Sequence, residues 1–195
     1  SFDGPLRIAL DMITQACKRD GHLSGASTGF VDMDKLLGGL HPSDLIILAG
    51  RPGMGKSALA TNIAFNAALA YKQEKDERGN IVVQQGAKVG LFSLEMSSEQ
   101  LATRILAERS EISSEKLRRG ELSDAEFSKV VRASQEIESL PIYIDDSPAL
   151  SVAGLRARAR RLKRQHGLTL VIVDYLQLMR PSSSMRLNNR VQEVS

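Results

Sequence analysis

The sequence predicts an α/β fold built on a central parallel sheet, and three observations carry the prediction. Apolar runs at Leu45–Ala49, Lys88–Leu94, Pro141–Asp146 and Leu168–Asp174 alternate with longer stretches of helical periodicity, the βα rhythm of a parallel sheet. The last run, Leu168-Thr169-Leu170-Val171-Ile172-Val173-Asp174, is β-branched and apolar nearly throughout, as expected of a central strand buried on both faces. The first leads directly into Gly50-Arg51-Pro52-Gly53-Met54-Gly55-Lys56-Ser57, which satisfies the phosphate-binding pattern G-x-x-x-x-G-K-[ST] at every fixed position.

Composition sets the bounds. A chain of 195 residues, 42% hydrophobic and 25% charged, is long enough for one sizeable core. No apolar run approaches the roughly 20 residues of a membrane span, and the first residues lack a basic-then-apolar signal, so a cytoplasmic protein is expected. The single cysteine, Cys17, has no disulfide partner and no metal-ligand companions, which argues against a structural zinc. A net charge of +3 permits nucleic-acid binding without requiring it. With aromatics at 4% and no Trp, any such contact should go through the phosphate backbone rather than through stacked bases.

In chain order, Leu6, Leu10, Ile13 and Cys17 form one apolar stripe of a helix, with Pro5 in its first turn and Lys18 and Arg19 at its negative end. The small, polar run Asp20–Ser27 makes it a linker helix, residues 1–21, ahead of a core spanning 22–195. Two fates for the stripe are open: folding back on its own domain, or docking on another protomer. A short helix from Asp32 to Leu37 should then stop at Gly38-Gly39.

In the phosphate-binding loop, Gly50, Gly53 and Gly55 let successive N–H groups turn inward, and the helix beginning near Ala58 adds its positive end. The nucleotide contacts are therefore assigned to Gly50, Arg51, Pro52, Gly53, Met54, Gly55, Lys56, Ser57 and Ala58. Lys56 is placed to reach the β- and γ-phosphates of ATP, and the Ser57 hydroxyl to ligate Mg2+. The stretch Tyr71–Lys88 reads as a solvated loop or hairpin, with one short strand at Ile81-Val82-Val83 and no chemistry.

Glu95 follows the second strand, where the ligand crevice of an open parallel sheet lies, and is read as the catalytic group that orients water. A charge that merely favours the start of the next helix is the competing reading. That helix begins with a capping box, Ser97 to Gln100, and packing helices follow at Leu101–Arg109, Ser114–Arg119 and Asp124–Ser139. The last has its own box, Ser123 to Glu126, and an apolar face of Phe127, Val130, Val131, Ser134 and Ile137. After the third strand, Ser151 caps a helix with the apolar line Val152, Leu155, Ala159 and Leu162. Its Arg156, Arg160 and Lys163 cluster on one side, either as a phosphate stripe or as a solvated or neighbour-facing surface. Asp174 ends the fourth strand as the second Mg2+-side element beside Ser57, with an Asp that only caps a loop as the alternative.

Several of these segments carry a resemblance. Ser27-Thr28-Gly29, Asp34 and Leu37-Gly38-Gly39-Leu40 just ahead of the phosphate loop resemble the RecA-like ATPases. With Phe92-Ser93-Leu94-Glu95-Met96-Ser97, Ile142-Tyr143-Ile144-Asp145-Asp146, Arg156–Arg161 and Asp174-Tyr175-Leu176-Gln177-Leu178-Met179, the chain is similar to the C-terminal motor of the bacterial replicative DNA helicases, the DnaB family. Only Tyr71–Lys88 stands outside the similarity. The resemblance implies a RecA-like P-loop NTPase in a homo-hexameric ring that encircles single-stranded DNA, unwinds a fork at the expense of ATP, and works with other replication proteins. It implies trans docking of the linker helix, and DNA contact by the loop Arg180–Arg190 through Arg180, Arg186 and Arg190. It also implies a fragment, lacking the fifth strand, the arginine-finger segment and the N-terminal domain, with slow turnover of its own and an exposed edge on the phosphate-loop strand. Another RecA-like ATPase, such as a recombinase or signalling ATPase, or a ring-assembly module, is the alternative.

Overall fold

The computed structural model describes residues 2–18, 23–76, 79, 81–175 and 179. Its first element is α1 (Asp3–Lys18), and the side chains of Leu6, Ile8, Leu10 and Ile13 are exposed on it. The expected short helix is α2 (Val31–Leu37), stopped by Gly38 in the left-handed conformation at φ 72°.

A buried carboxylate holds this region together. Asp34 accepts hydrogen bonds from the Ser27 hydroxyl at 2.5 Å, the Thr28 N–H at 2.8 Å and the Thr28 hydroxyl at 2.7 Å. Burial works to raise its pKa, but the bonds from Ser27 and Thr28 and the Gly29 N–H outweigh it and leave the carboxyl below its usual range. Asn66, on α3 (Lys56–Leu69), donates to the Thr28 carbonyl at 3.1 Å and so anchors the knot to the helix behind the phosphate loop. Gly29 lies between them at φ 82°, where a Cβ would stand 2.1 Å from Asn66 Nδ2. The Ser-Thr-Gly and Asp34 signature is thus a structural clasp.

Beyond α3, β1 (Lys72–Lys75) and β2 (Ile81–Gln85) pair antiparallel in an exposed hairpin, so the 71–88 stretch has two strands where one was expected. The main sheet comprises β3 (Val89–Ser93), β4 (Ile142–Asp145) and β5 (Leu170–Asp174), all parallel in the order β4-β3-β5. Between β3 and β4 run α4 (Ser98–Ser110), α5 (Ser114–Arg119) and α6 (Asp124–Glu138), and α7 (Val152–His166) joins β4 to β5. Both expected capping boxes are present, Ser97 with Gln100 and Ser123 with Glu126. Lys116 of α5 pairs with Glu126, and this bond, then those from the Ser123 N–H and hydroxyl, lower the Glu126 pKa to about 2.

Side-chain alternation assigns the layers. Val89, Ile142, Leu170 and Ile172 pack with Ala64, Ala67 and Ala68, so α3 lies on one face; its alanines let helix and sheet approach closely. Tyr143 stacks on His166 at a centroid distance of 4.3 Å and Asp145 bonds Arg158, which puts α7 on the other. Right-handed crossovers put α4 to α6 on the face opposite α7, because the step from β4 to β5 runs across the sheet in the opposite direction to the step from β3 to β4, and α4 accordingly touches α3.

Three expectations need correction. Residues 45–49 do not form a strand: Leu45 is 87% and Ile47 73% exposed, and the described sheet has no partner for them. An apolar run becomes a strand only where a ladder edge and a covered face await it, and here it stays extended chain after a turn at His41–Asp44. The doubly buried central strand is β3, while β5 has Val171 42% exposed. On α6, Phe127 and Val131 face outward and Ala133 is the buried residue, flanked by half-buried Val130 and Ile137; the inner stripe is narrower and rotated because α4 is the main helix covering it. Among the described residues no helix is long and apolar enough to cross a membrane.

Candidate nucleotide-binding site

The Gly50–Ser57 loop forms without its strand. Met54 donates its N–H to the Arg51 carbonyl at 3.3 Å, Gly53 sits at φ 76° and Gly55 at φ 83°, and no heavy atom lies within 4 Å of a Cβ added at either. Gly55 is the N-cap of α3 and offers no side-chain hydrogen bond to the first-turn N–H groups, which leaves them for an anion. Lys56 Nζ donates to the Gly50 carbonyl at 3.0 Å and the Arg51 carbonyl at 3.5 Å, curling over the loop. Beside it lies a cavity of about 500 Å³, walled by Leu48 to Arg51, Met54, Lys56 and Leu59. This hollow opens to solvent, and Leu48, Ala49, Met54 and Leu59 make its lining largely apolar.

The strand ends that carry the expected carboxylates are neighbours in the sheet. Ser93 of β3 is the register partner of Asp174 of β5, and Leu94 donates its N–H to the Asp174 carbonyl at 2.7 Å. Asp174 is buried, and Glu95, one residue past that bond, is exposed. Glu95 lies in a turn closed by Ser93, whose hydroxyl donates to the Met96 carbonyl at 2.7 Å and accepts the Met96 N–H at 3.1 Å. Ser57, Glu95 and Asp174 do not line the cavity beside Lys56. The two carboxylate-bearing strand ends are therefore adjacent, and the phosphate loop forms its own separate hollow.

The donor types of Ser57 and Asp174 suit magnesium, although neither lines the cavity beside Lys56. No group of three or more His, Cys, Asp or Glu that could hold a metal occurs among the described residues. A hydroxyl and one carboxylate, with the remaining positions left to phosphate oxygens and water, is what Mg2+ takes in phosphoryl-transfer sites. Arg180, Arg186 and Arg190 lie outside the described residues.

Sequence reasoning missed two side chains here. Asp146 accepts the Ser98 N–H at 2.8 Å and the Ser98 hydroxyl at 2.9 Å, holding the start of α4 against the end of β4. Arg158 of α7 bonds both carboxylate oxygens of Asp145, a partner outside its own helix. Arg156, Arg160 and Lys163 are exposed.

Residues 25–195 match the family described as DnaB-like helicase C terminal domain. The chain belongs to that family. It is 46% identical over 191 residues to a replicative DNA helicase DnaB of Rickettsia felis, covering 98% of this chain and 37% of the relative. A replicative DNA helicase DnaB of Geobacillus stearothermophilus is 40% identical over 185 residues, 95% of this chain and 37% of the relative. The chain thus spans little more than a third of these DnaB proteins. Among solved structures, one described as an ATPase domain superposes with a TM-score of 0.81 at 27% identity, over 99% of this chain and 62% of that one. A DnaB-like replicative helicase, described with its interactions with primase, gives 0.74 at 26% over 95% and 42%. The fold is RecA-like, as these neighbours share it.

Proposed function

We propose that this chain is the nucleotide-binding part of a DnaB-family replicative helicase that unwinds duplex DNA with ATP. The observation that carries the reading is the Gly50–Ser57 loop, folded with Lys56 over it and with open N–H groups on α3, in a chain of this family.

Backbone N–H groups of Gly53 and of Gly55 to Ser57 bind the phosphate oxygens, and Lys56 exchanges its bond to the Gly50 carbonyl for the β- and γ-oxygens. Ser57 and Asp174 would hold Mg2+, which supplies charge neutralisation on those phosphates when bound. Glu95 orients the attacking water and takes its proton. For this, the loop and the two strand ends must approach one another, and the exposed apolar run 45–49 is the segment whose docking beside β5 would bring them together. The exposed stripe of α1 supports docking on a neighbouring protomer in a homo-hexameric ring around single-stranded DNA. The chemistry of Arg180, Arg186 and Arg190 suits contact with its phosphates.

The test is ATP-dependent unwinding of a forked duplex by the whole protein that contains this chain, alongside binding of a fluorescent ATP analogue. Both are expected; Lys56→Ala should abolish unwinding and weaken analogue binding by roughly 10- to 100-fold. ATP hydrolysis without unwinding would favour a RecA-like ATPase of another kind, and absence of nucleotide binding would overturn the proposal.

A further inference from the structure

The turn that carries Glu95 is held from two sides. Inside it, the Ser93 hydroxyl bridges the N–H and carbonyl of Met96. Outside it, at Ser98, Asp146 accepts both the N–H and the hydroxyl of the first residue of α4. Only Met96 and Ser97 separate Glu95 from that anchor, and Ser97 is engaged in its own capping box with Gln100. The backbone on the C-terminal side of Glu95 is therefore located by Asp146, a residue that follows a different strand.

Asp146 is exposed, and the strand end that carries it is anchored through its neighbour. Its neighbour Asp145 bonds Arg158 of α7, and the Ser147 N–H returns to the Asp145 carboxylate at 3.1 Å. Asp145 is the last residue of β4 and pairs in register with Phe92 of β3. The two consecutive aspartates thus reach to different helices, one to α7 and one to α4. The bonds from the Ser98 N–H, then from its hydroxyl, keep the Asp146 carboxyl below its usual range, so it is ionised at neutral pH at the positive end of α4.

We infer that Asp146 is a positioning residue for Glu95: by fixing Ser98 it sets where the Glu95 carboxylate stands at the end of β3. The inference rests on the proposed role of Glu95. A carboxylate that orients water loses its effect when displaced by about 1 Å, which can cost on the order of 100-fold in rate without touching ligand affinity.

The experiment uses the whole helicase carrying Asp146→Ala, Asp146→Asn, Ser98→Ala, Glu95→Gln, and the double variant Asp146→Ala with Glu95→Gln. ATP turnover, its KM, and binding of a non-hydrolysable ATP analogue are measured on each. Asp146→Ala should lower kcat by roughly 10-fold or more while KM and analogue affinity stay within about 2-fold. Asp146→Asn, which keeps an oxygen acceptor, should recover most of the loss, and Ser98→Ala, which removes only the hydroxyl bond, should show a smaller one. The double variant should turn over no more slowly than Glu95→Gln alone. An unchanged kcat in Asp146→Ala beside an inactive Glu95→Gln overturns this inference and leaves the role of Glu95 standing. Full activity in Glu95→Gln overturns both. A parallel fall of kcat and analogue affinity, or a lowered Tm with no split between kcat and KM, assigns Asp146 to stability and overturns the inference. If Asp146→Ala fails to fold, Asp146→Asn and Ser98→Ala carry the same comparison.

Discussion

Ser93 and Asp174 are register partners at the last rung of the β3·β5 ladder, and the bond from the Leu94 N–H to the Asp174 carbonyl extends the pairing one residue further. Glu95 follows immediately. Glu95→Gln is expected to lower steady-state ATP turnover of the whole protein by about 100-fold or more, with nucleotide affinity retained. Asp174→Asn, nearly isosteric in its buried position, should instead raise the Mg2+ concentration needed for half-maximal turnover. Magnesium titrations of both variants separate the two roles.

Lys56 is half-buried, with its ammonium bonded to loop carbonyls. Replacing it by Ala should leave the thermal midpoint within about 2 °C and weaken ATP binding by roughly 10- to 100-fold, the worth of charge-assisted hydrogen bonds. Isothermal titration against the same nucleotide reads the difference.

Asp34 links stability to pH. Its carboxyl is more acidic in the folded chain than in the unfolded one, so on acidification the unfolded state takes up the proton first. Its contribution should be full above the ordinary carboxylate range and disappear as pH falls through the lower folded value. Asp34→Ala should cost about 1–3 kcal/mol at pH 7, from the stranded Thr28 N–H and hydroxyls, and less at an acid pH below the ordinary carboxylate range. Urea unfolding at the two pH values checks both sign and size.

Gly29→Ala should destabilise the chain by at least the roughly 1–2 kcal/mol of a left-handed backbone, because the new methyl also meets the Asn66 side chain. Adding Asn66→Ala should restore part of the loss, since it removes the atoms in the way. A double-mutant cycle on thermal or urea unfolding measures that recovery.

On α1, Leu10→Asp with Ile13→Asp should leave nucleotide binding unchanged and abolish self-association of the whole protein, because both side chains are exposed on this chain. Light scattering of the intact and doubly substituted proteins gives the mass. Loss of folding in the variant would argue that the stripe packs within its own chain.

Elements with local signals were legible in the sequence. The Ser97/Gln100 and Ser123/Glu126 boxes set the starts of α4 and α6, and Gly38 set the stop of α2, because capping is decided within a few residues. The phosphate loop was legible for the same reason. What depends on distant partners was not. Leu45–Ala49 has the composition of a strand, but pairing is a property of neighbours, and neither its edge nor its covering layer can be read from the run itself. The inner face of α6 was misassigned because Phe127 is apolar yet sits where no element reaches it. Asp146 and Arg158 were missed because their partners, Ser98 and Asp145, are 48 and 13 residues away.

Asn66 lies ten residues beyond Lys56 on the same helix, so about 15 Å of α-helix separates the phosphate cradle from the Thr28 carbonyl that Asn66 holds. Mechanically, α3 is a strut between the two. Its lower end bears on the nucleotide loop and its upper part is latched to the strand-like segment that follows the linker. A shift of the cradle is thereby a shift of Thr28, carried along a stiff helix to the segment just ahead of α2.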